Sequence, residues 1–159
     1  ILRKCKIKIL TTNMIALPKE SISNAYETVQ LNRKIKADYT RIFLAKPYKG
    51  TKLFEYGERN LLLGEKAFDS KNFEALDSIY FKTDHEREFK NLRYLFYLIV
   101  KFPVLERPSR TLIKLPLTEM YSFLFFVTTI IQEQKFYKMR FFKGLLLSLR
   151  LIKGYGKHY

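Results

Sequence analysis

The chain has 159 residues, with 30 Lys+Arg against 15 Asp+Glu and a formal charge of +15. At 47% apolar and 28% charged residues it has the composition of a folding chain, not of a disordered polar one. Its single cysteine, Cys5, excludes an internal disulfide framework and any metal or cluster site that needs several thiolates from this chain. Two histidines, His85 and His158, leave no multi-histidine zinc site.

The length suits one ordinary domain and falls short of a complete barrel, which takes about 250 residues. Lys6 to Leu17 reads as a buried strand carrying Ile7, Ile9, Met14 and Ile15, stopped by Pro18. Ser21 or Ser23 then caps a helix running to about Lys36, with Ile22, Tyr26 and Val29 as its apolar stripe. A second strand follows over Tyr39–Ala45. Pro47 to Thr51 makes a turn and a helix cap, because Pro fixes φ, Gly50 permits a tight bend and Thr51 offers its hydroxyl. Leu53, Phe54 and Tyr56 lie on the short helix that it opens, and Gly64 helps to end it. This strand–helix–strand–helix order argues for a parallel sheet covered by helices.

Ala67 to Phe81 reads as a connecting loop anchored by Phe68, Phe73, Leu76 and Ile79. Thr83 and Glu86 match a capping box ahead of a helix that carries Phe89, Leu92, Phe96, Ile99 and Val100 and stops at Pro103. A loop punctuated by Pro103, Pro108 and Pro116 leads to a helix from Thr118 to about Lys135. A last basic helix covers Lys138 to Lys153, and Gly154 and Gly156 loosen the tail. The longest apolar run, Met120 to Ile131, is interrupted by polar residues and is shorter than the roughly 18–20 residues a spanning helix needs. No export signal is legible, so the expected location is cytoplasmic.

Three segments carry a family resemblance. Thr12 to Arg33, TNMIALPKESISNAYETVQLNR, resembles a stretch of radical S-adenosylmethionine (SAM) enzymes in which a strand ends N-M-I-G-L-P-G-E-T and runs into a helix. Ile42 to Tyr56, IFLAKPYKGTKLFEY, is similar to that family's next strand, which ends Q-P-Y-P-G-T-x-L. Phe73 to Phe81 resembles its D-S-I-x-x-F-like stretch. The pattern is closest to the subgroup with an N-terminal cobalamin-binding domain.

The resemblance implies an α/β fold: the C-terminal portion of a partial TIM-type (βα)6 barrel followed by a helical extension. Residues 1–66 would be the last two βα units, 67–82 a connecting loop and 83–159 the C-terminal helical extension. The cofactors implied for the complete enzyme are SAM, a 4Fe–4S cluster and cobalamin. The family holds its cluster in a CxxxCxxC loop that this chain lacks, and thiolates are required, so none of these is expected to bind stably here. The expected partners are the missing N-terminal barrel half and cobalamin domain, and a small-molecule or lipid-like substrate. Ile1 in place of Met agrees with a fragment.

By the same resemblance the strand ends form part of the SAM pocket wall, with Asn13, Ile15, Ala16, Leu44, Ala45 and Tyr48 as candidates. No catalytic and no metal-ligating residue is expected in this chain. The family's glycines stand here as Ala16 and Lys19, and the second proline of P-Y-P-G-T as Lys49. Glu20 is either the family's acidic residue after the strand or a carboxylate placed by the helix dipole.

The alternative function is a non-catalytic basic module. After Glu133 no acidic residue occurs, while Lys135, Lys138, Arg140, Lys143, Arg150, Lys153 and Lys157 interleave with Phe136, Phe141, Phe142 and Leu145. Such a helix suits an anionic membrane surface and, with less support, nucleic acid.

Overall fold

The computed structural model describes residues 5–68 and 78–137. The expected anchors Phe73 and Leu76 and the basic helix from Lys138 onward lie outside the described residues. The elements run in the order β1 (Leu10–Ile15), α1 (Ile22–Ile35), β2 (Tyr39–Leu44), α2 (Lys52–Arg59), α3 (Glu86–Lys101), α4 (Glu106–Leu112) and α5 (Thr118–Tyr137). Single 3-10 turns lie at Glu65–Ala67 and Pro103–Leu105.

β1 and β2 pair in parallel, from Leu10 opposite Tyr39 to Ile15 opposite Leu44. Parallel pairing requires a crossover, and α1 supplies it. Ser21 caps α1 by accepting from the Asn24 N–H at 3.2 Å, and Lys36 closes it in the left-handed region at φ 54°. Thr51 caps α2 in the same manner, accepting from the Phe54 N–H at 3.3 Å.

Side chains alternate along the two strands. Ile15, Ile42 and Leu44 turn toward the helices and join Tyr26, Val29, Phe89, Leu92, Phe96 and Ile99 in the main core. Leu10, Met14 and Phe43 face the other way and are 37%, 48% and 40% exposed. β1 is therefore covered on one face only, which corrects the fully buried strand expected for Lys6–Leu17. It is also shorter, because Ala16 leaves extended geometry at φ 61°.

The two sheet edges differ. α5 lies along the outer edge of β2, where the Gln132 Oε1 accepts from the Thr40 N–H at 3.3 Å and from its hydroxyl at 3.4 Å. Tyr39 stacks near Phe136, with ring centroids 5.5 Å apart. The outer edge of β1 pairs with no strand among the described residues.

A smaller core gathers Ala45, Phe54, Leu63, Ala67, Tyr80 and Phe81 around α2. Gly57 sits inside this helix because a Cβ there would lie 2.7 Å from Leu63 Cδ2 and 2.9 Å from Phe81 Cε1. α2 ends at Arg59, ahead of Gly64. That glycine instead lets the backbone dock, its N–H donating to the Tyr80 carbonyl at 2.7 Å.

Two further expectations are corrected. The capping box before α3 does not form. The Thr83 hydroxyl accepts from the His85 N–H at 3.2 Å, and Glu86 is held by Lys90 at 2.8 Å and Lys66 at 3.2 Å instead of reaching back. The loop expected between Pro103 and Pro116 contains α4, because Pro108 falls in the first turn, where its missing N–H costs no helical bond. Among the described residues no helix is long and apolar enough to cross a membrane.

Candidate functional site

The carboxyl ends of the two strands lie side by side, joined beyond the last ladder pair by the Ala45 N–H donating to the Ile15 carbonyl at 2.7 Å. The N-termini of α1 and α2 follow each strand after a short loop, so both open at this end. In α/β folds this is the end at which sites are built.

The first loop turns twice through the left-handed region, at Ala16 (φ 61°) and Lys19 (φ 62°). For a residue with a Cβ such a conformation costs about 1–2 kcal/mol. Glu20 closes the loop. Its Oε2 accepts from the Leu17 N–H at 2.9 Å while its own N–H donates to the Leu17 carbonyl at 3.0 Å. Burial raises the Glu20 carboxyl above its ordinary pKa, against the opposing pull of the Leu17 and Ala16 N–H groups. Glu20 precedes the cap and is a loop-closing residue, so it lies outside the first turn of α1.

In the second loop Gly50 adopts φ 82°, and the Thr51 hydroxyl donates to the Tyr48 carbonyl at 2.6 Å. The Lys46 ammonium lies 5.8 Å from the Tyr48 ring centroid and 5.7 Å from that of Tyr80. A cation within about 6 Å of a ring face is attracted by the ring quadrupole.

The six residues expected at the SAM wall divide into three groups. Ile15 (0% exposed) and Leu44 (6%) point into the main core between sheet and helices. Asn13 also faces the helix layer, where its amide nitrogen donates to the Arg41 carbonyl at 2.9 Å and its oxygen accepts from Asn32 Nδ2 at 2.8 Å. Ala16 and Ala45 are buried at the strand ends, and Tyr48 is exposed on the second loop. Sequence reasoning passed over Thr12, Met14, Arg41 and Phe43, which share the uncovered face. The register sets Thr12 beside Arg41 and Met14 beside Phe43.

Among the described residues no group of three or more His, Cys, Asp or Glu could hold a metal ion, and Cys5 is exposed. Asp84 and His85 lead into α3, which starts at Glu86, and His85 Nδ1 lies 2.7 Å from Glu88 Oε2.

The strain in the first loop gives a direct test. Ala16→Gly and Lys19→Gly are each expected to stabilise the chain by about 0.5–1 kcal/mol, the relief of left-handed strain less the extra freedom of the unfolded glycine chain. Urea midpoints at fixed protein concentration check this. Destabilisation by both variants would show that the two side chains make contacts worth more than the strain.

No family model matches the sequence, and neither a curated protein nor a solved structure is significantly similar to it.

Proposed function

We propose that this chain is the C-terminal part of a radical SAM enzyme of the cobalamin-binding subgroup, contributing part of the SAM pocket wall and of the cover on the substrate side. The observation that carries this reading is the backbone at Ala16 and Lys19. The resembled pattern places glycine at both positions, and glycine suits positive φ. Here both positions hold positive φ although neither residue is glycine.

The asymmetric sheet edges add support. α5 lies along β2, while among the described residues no strand pairs with β1 on the side where the earlier strands of a partial barrel would pair. The uncovered face with Met14 and Phe43 would then turn toward the barrel interior. Asn13, Ile15 and Leu44 hold the strand ends in place from the helix side. The backbone at Ala16 and Ala45 and the exposed Tyr48 are the parts of the expected wall that remain at the strand ends.

The residues present do not fit a 4Fe–4S cluster, since one exposed cysteine cannot supply its thiolates. Cluster chemistry therefore belongs to the partner half, and so does cobalamin binding. SAM, when bound, would supply the 5′-deoxyadenosyl radical for hydrogen abstraction or the methyl group for cobalamin-dependent transfer. The reading carries a cytoplasmic location with it.

The test compares the chain alone with the chain joined to an upstream barrel half, both reconstituted anaerobically with iron and sulfide. The joined protein is expected to show 4Fe–4S absorbance and to release 5′-deoxyadenosine from SAM, and the chain alone to show neither. A stoichiometric cluster on the chain alone, or a clustered joined protein that leaves SAM intact, overturns the reading.

An open strand edge is a template for pairing. The isolated chain is thus expected to self-associate at micromolar concentration, and Thr12→Pro to reduce this, because alternation points the Thr12 N–H away from β2. Sedimentation velocity measures both. A monomeric parent chain would count against the half-barrel reading.

A further inference from the structure

At the opposite end of the strands from the candidate site, a cleft of about 410 Å³ opens between α1, β2, α3 and α5. α1, α3 and α5 all run their C-termini to this end, and the helix dipole favours cations there. That accounts for the gathering of Lys36, Lys101 and Lys135 around the opening. None of the three has an ion-pair partner among the described residues. Arg33 is already committed, its guanidinium bound to Glu106 and to the Ile99 carbonyl. The cleft's single carboxylate, Asp38, accepts from the Ile9 N–H at 2.9 Å.

Dipole compensation explains lysines at helix ends, but not the neutral donors deeper in the cleft. Gln132 is 4% exposed. Its oxygen is taken twice by Thr40, and its amide nitrogen donates to no described residue. Tyr97 also lines the cleft, and its hydroxyl has no hydrogen-bond partner among the described residues. Burial raises the Tyr97 pKa, so the group stays a neutral O–H donor. The lining is thus rich in donors: three ammonium groups, an amide N–H2 and a phenol. Ammonium and amide N–H2 groups donate only. The complement of such a set is a small multiply charged oxyanion, and the sequence that follows α5 adds only cations.

We propose that this cleft binds a phosphate group, with Lys36, Lys101 and Lys135 neutralising its charge and the Gln132 amide and Tyr97 hydroxyl donating to its oxygens. This inference stands apart from the radical SAM reading and survives its failure. The phosphate can belong to a soluble phosphorylated molecule or to a lipid headgroup, and the test separates the two.

Inorganic pyrophosphate is titrated into the full chain by equilibrium dialysis at low ionic strength. Saturable one-to-one binding is expected. Gln132→Glu keeps an acceptor for Thr40 but replaces the donor with an anion, and is expected to weaken binding at least about tenfold. Lys101→Gln and Lys135→Gln should each weaken it several-fold. The double variant Lys49→Gln, Lys52→Gln, at the second strand-end loop and the start of α2, removes more charge than any single cleft variant but should stay within about twofold, since distant surface charges are screened. Circular dichroism confirms that each variant keeps its fold. In a parallel arm, vesicles containing phosphatidylinositol phosphate are sedimented with the chain. Vesicle binding that pyrophosphate displaces and Gln132→Glu abolishes identifies the lipid source. Binding of free pyrophosphate without vesicle capture identifies the soluble one. The proposal is overturned if neither arm binds, or if the Lys49/Lys52 control loses as much affinity as the cleft variants, because the positive charge of the whole chain then accounts for the effect.

Discussion

Ile15→Ala is expected to destabilise the chain by about 2–5 kcal/mol, the range for emptying a fully buried aliphatic site. Ile15 ends β1, is 0% exposed and packs into the main core with Ala25, Tyr26 and Val29 of α1 and Phe96 of α3. Its loss removes burial and leaves a cavity between sheet and helix that close-packed neighbours cannot fill. The prediction separates two roles for this residue. A core residue loses stability on truncation, whereas a side chain that only lines a ligand pocket leaves the ligand-free chain nearly as stable as before. Urea unfolding at fixed protein concentration decides. A loss below about 1 kcal/mol would place Ile15 at a surface and contradict its assignment to the core.

Asn32→Leu is expected to cost about 2–3 kcal/mol, the penalty for leaving buried polar partners unsatisfied. Asn32 is 0% exposed on the inner face of α1. Its oxygen accepts from the Thr11 hydroxyl at 2.6 Å, and its amide nitrogen donates to Asn13 Oδ1 and to the Thr28 carbonyl, both at 2.8 Å. Asn13 in turn donates to the Arg41 carbonyl on β2. One amide thereby ties α1 to both strands. Leucine fills the volume but leaves the Asn13 side chain and the Thr11 hydroxyl short of partners under the sheet. Asn13→Ala is expected to cost less than Asn32→Leu, since Asn13 is only part-buried and water can replace some of its bonds. The two effects should fall short of adding, because the residues share bonds. Full additivity would mean that they act independently and that no connected network exists.

The βαβ unit was legible from local chemistry. Thr51 fixed one helix start and Ser21, one of two candidate caps, the other, while the alternation of types gave the parallel sheet; the first strand, expected to run to Pro18, ends at Ile15. What local reasoning lacked was knowledge of which surfaces meet. Ile7 and Met14 were read as part of a buried strand, yet Ile7 lies ahead of β1 and Met14 on the face that the helices leave uncovered, so both are half-exposed. Glu86 had the spacing of a capping box, but Lys66, twenty positions earlier in the chain, competes for its carboxylate through a contact that sequence spacing does not encode. α4 was missed because three prolines in one stretch read as a loop, although Pro108 is harmless in a first turn.

The sequence assigned the candidate site to two strand ends but could not order its side chains. The resemblance put it at the ends of β1 and β2, and those ends do lie side by side with the two helix starts. It could not tell which side chains face which way. A strand reverses direction at every residue, so Asn13 and Ile15 fall on the helix side while their neighbours Thr12 and Met14 fall on the open side. The cleft proposed to bind phosphate was not legible at all. Lys36 follows α1, Tyr97 and Lys101 share α3 and Gln132 lies on α5, and no motif joins them.

The central claim, that this chain completes a barrel begun elsewhere, is tested most directly by the reading frame immediately upstream of the Ile1 codon in the source DNA. The account predicts an in-frame coding sequence there that carries a CxxxCxxC segment and further βα units. A start codon directly before Ile1, with no such segment upstream, contradicts it.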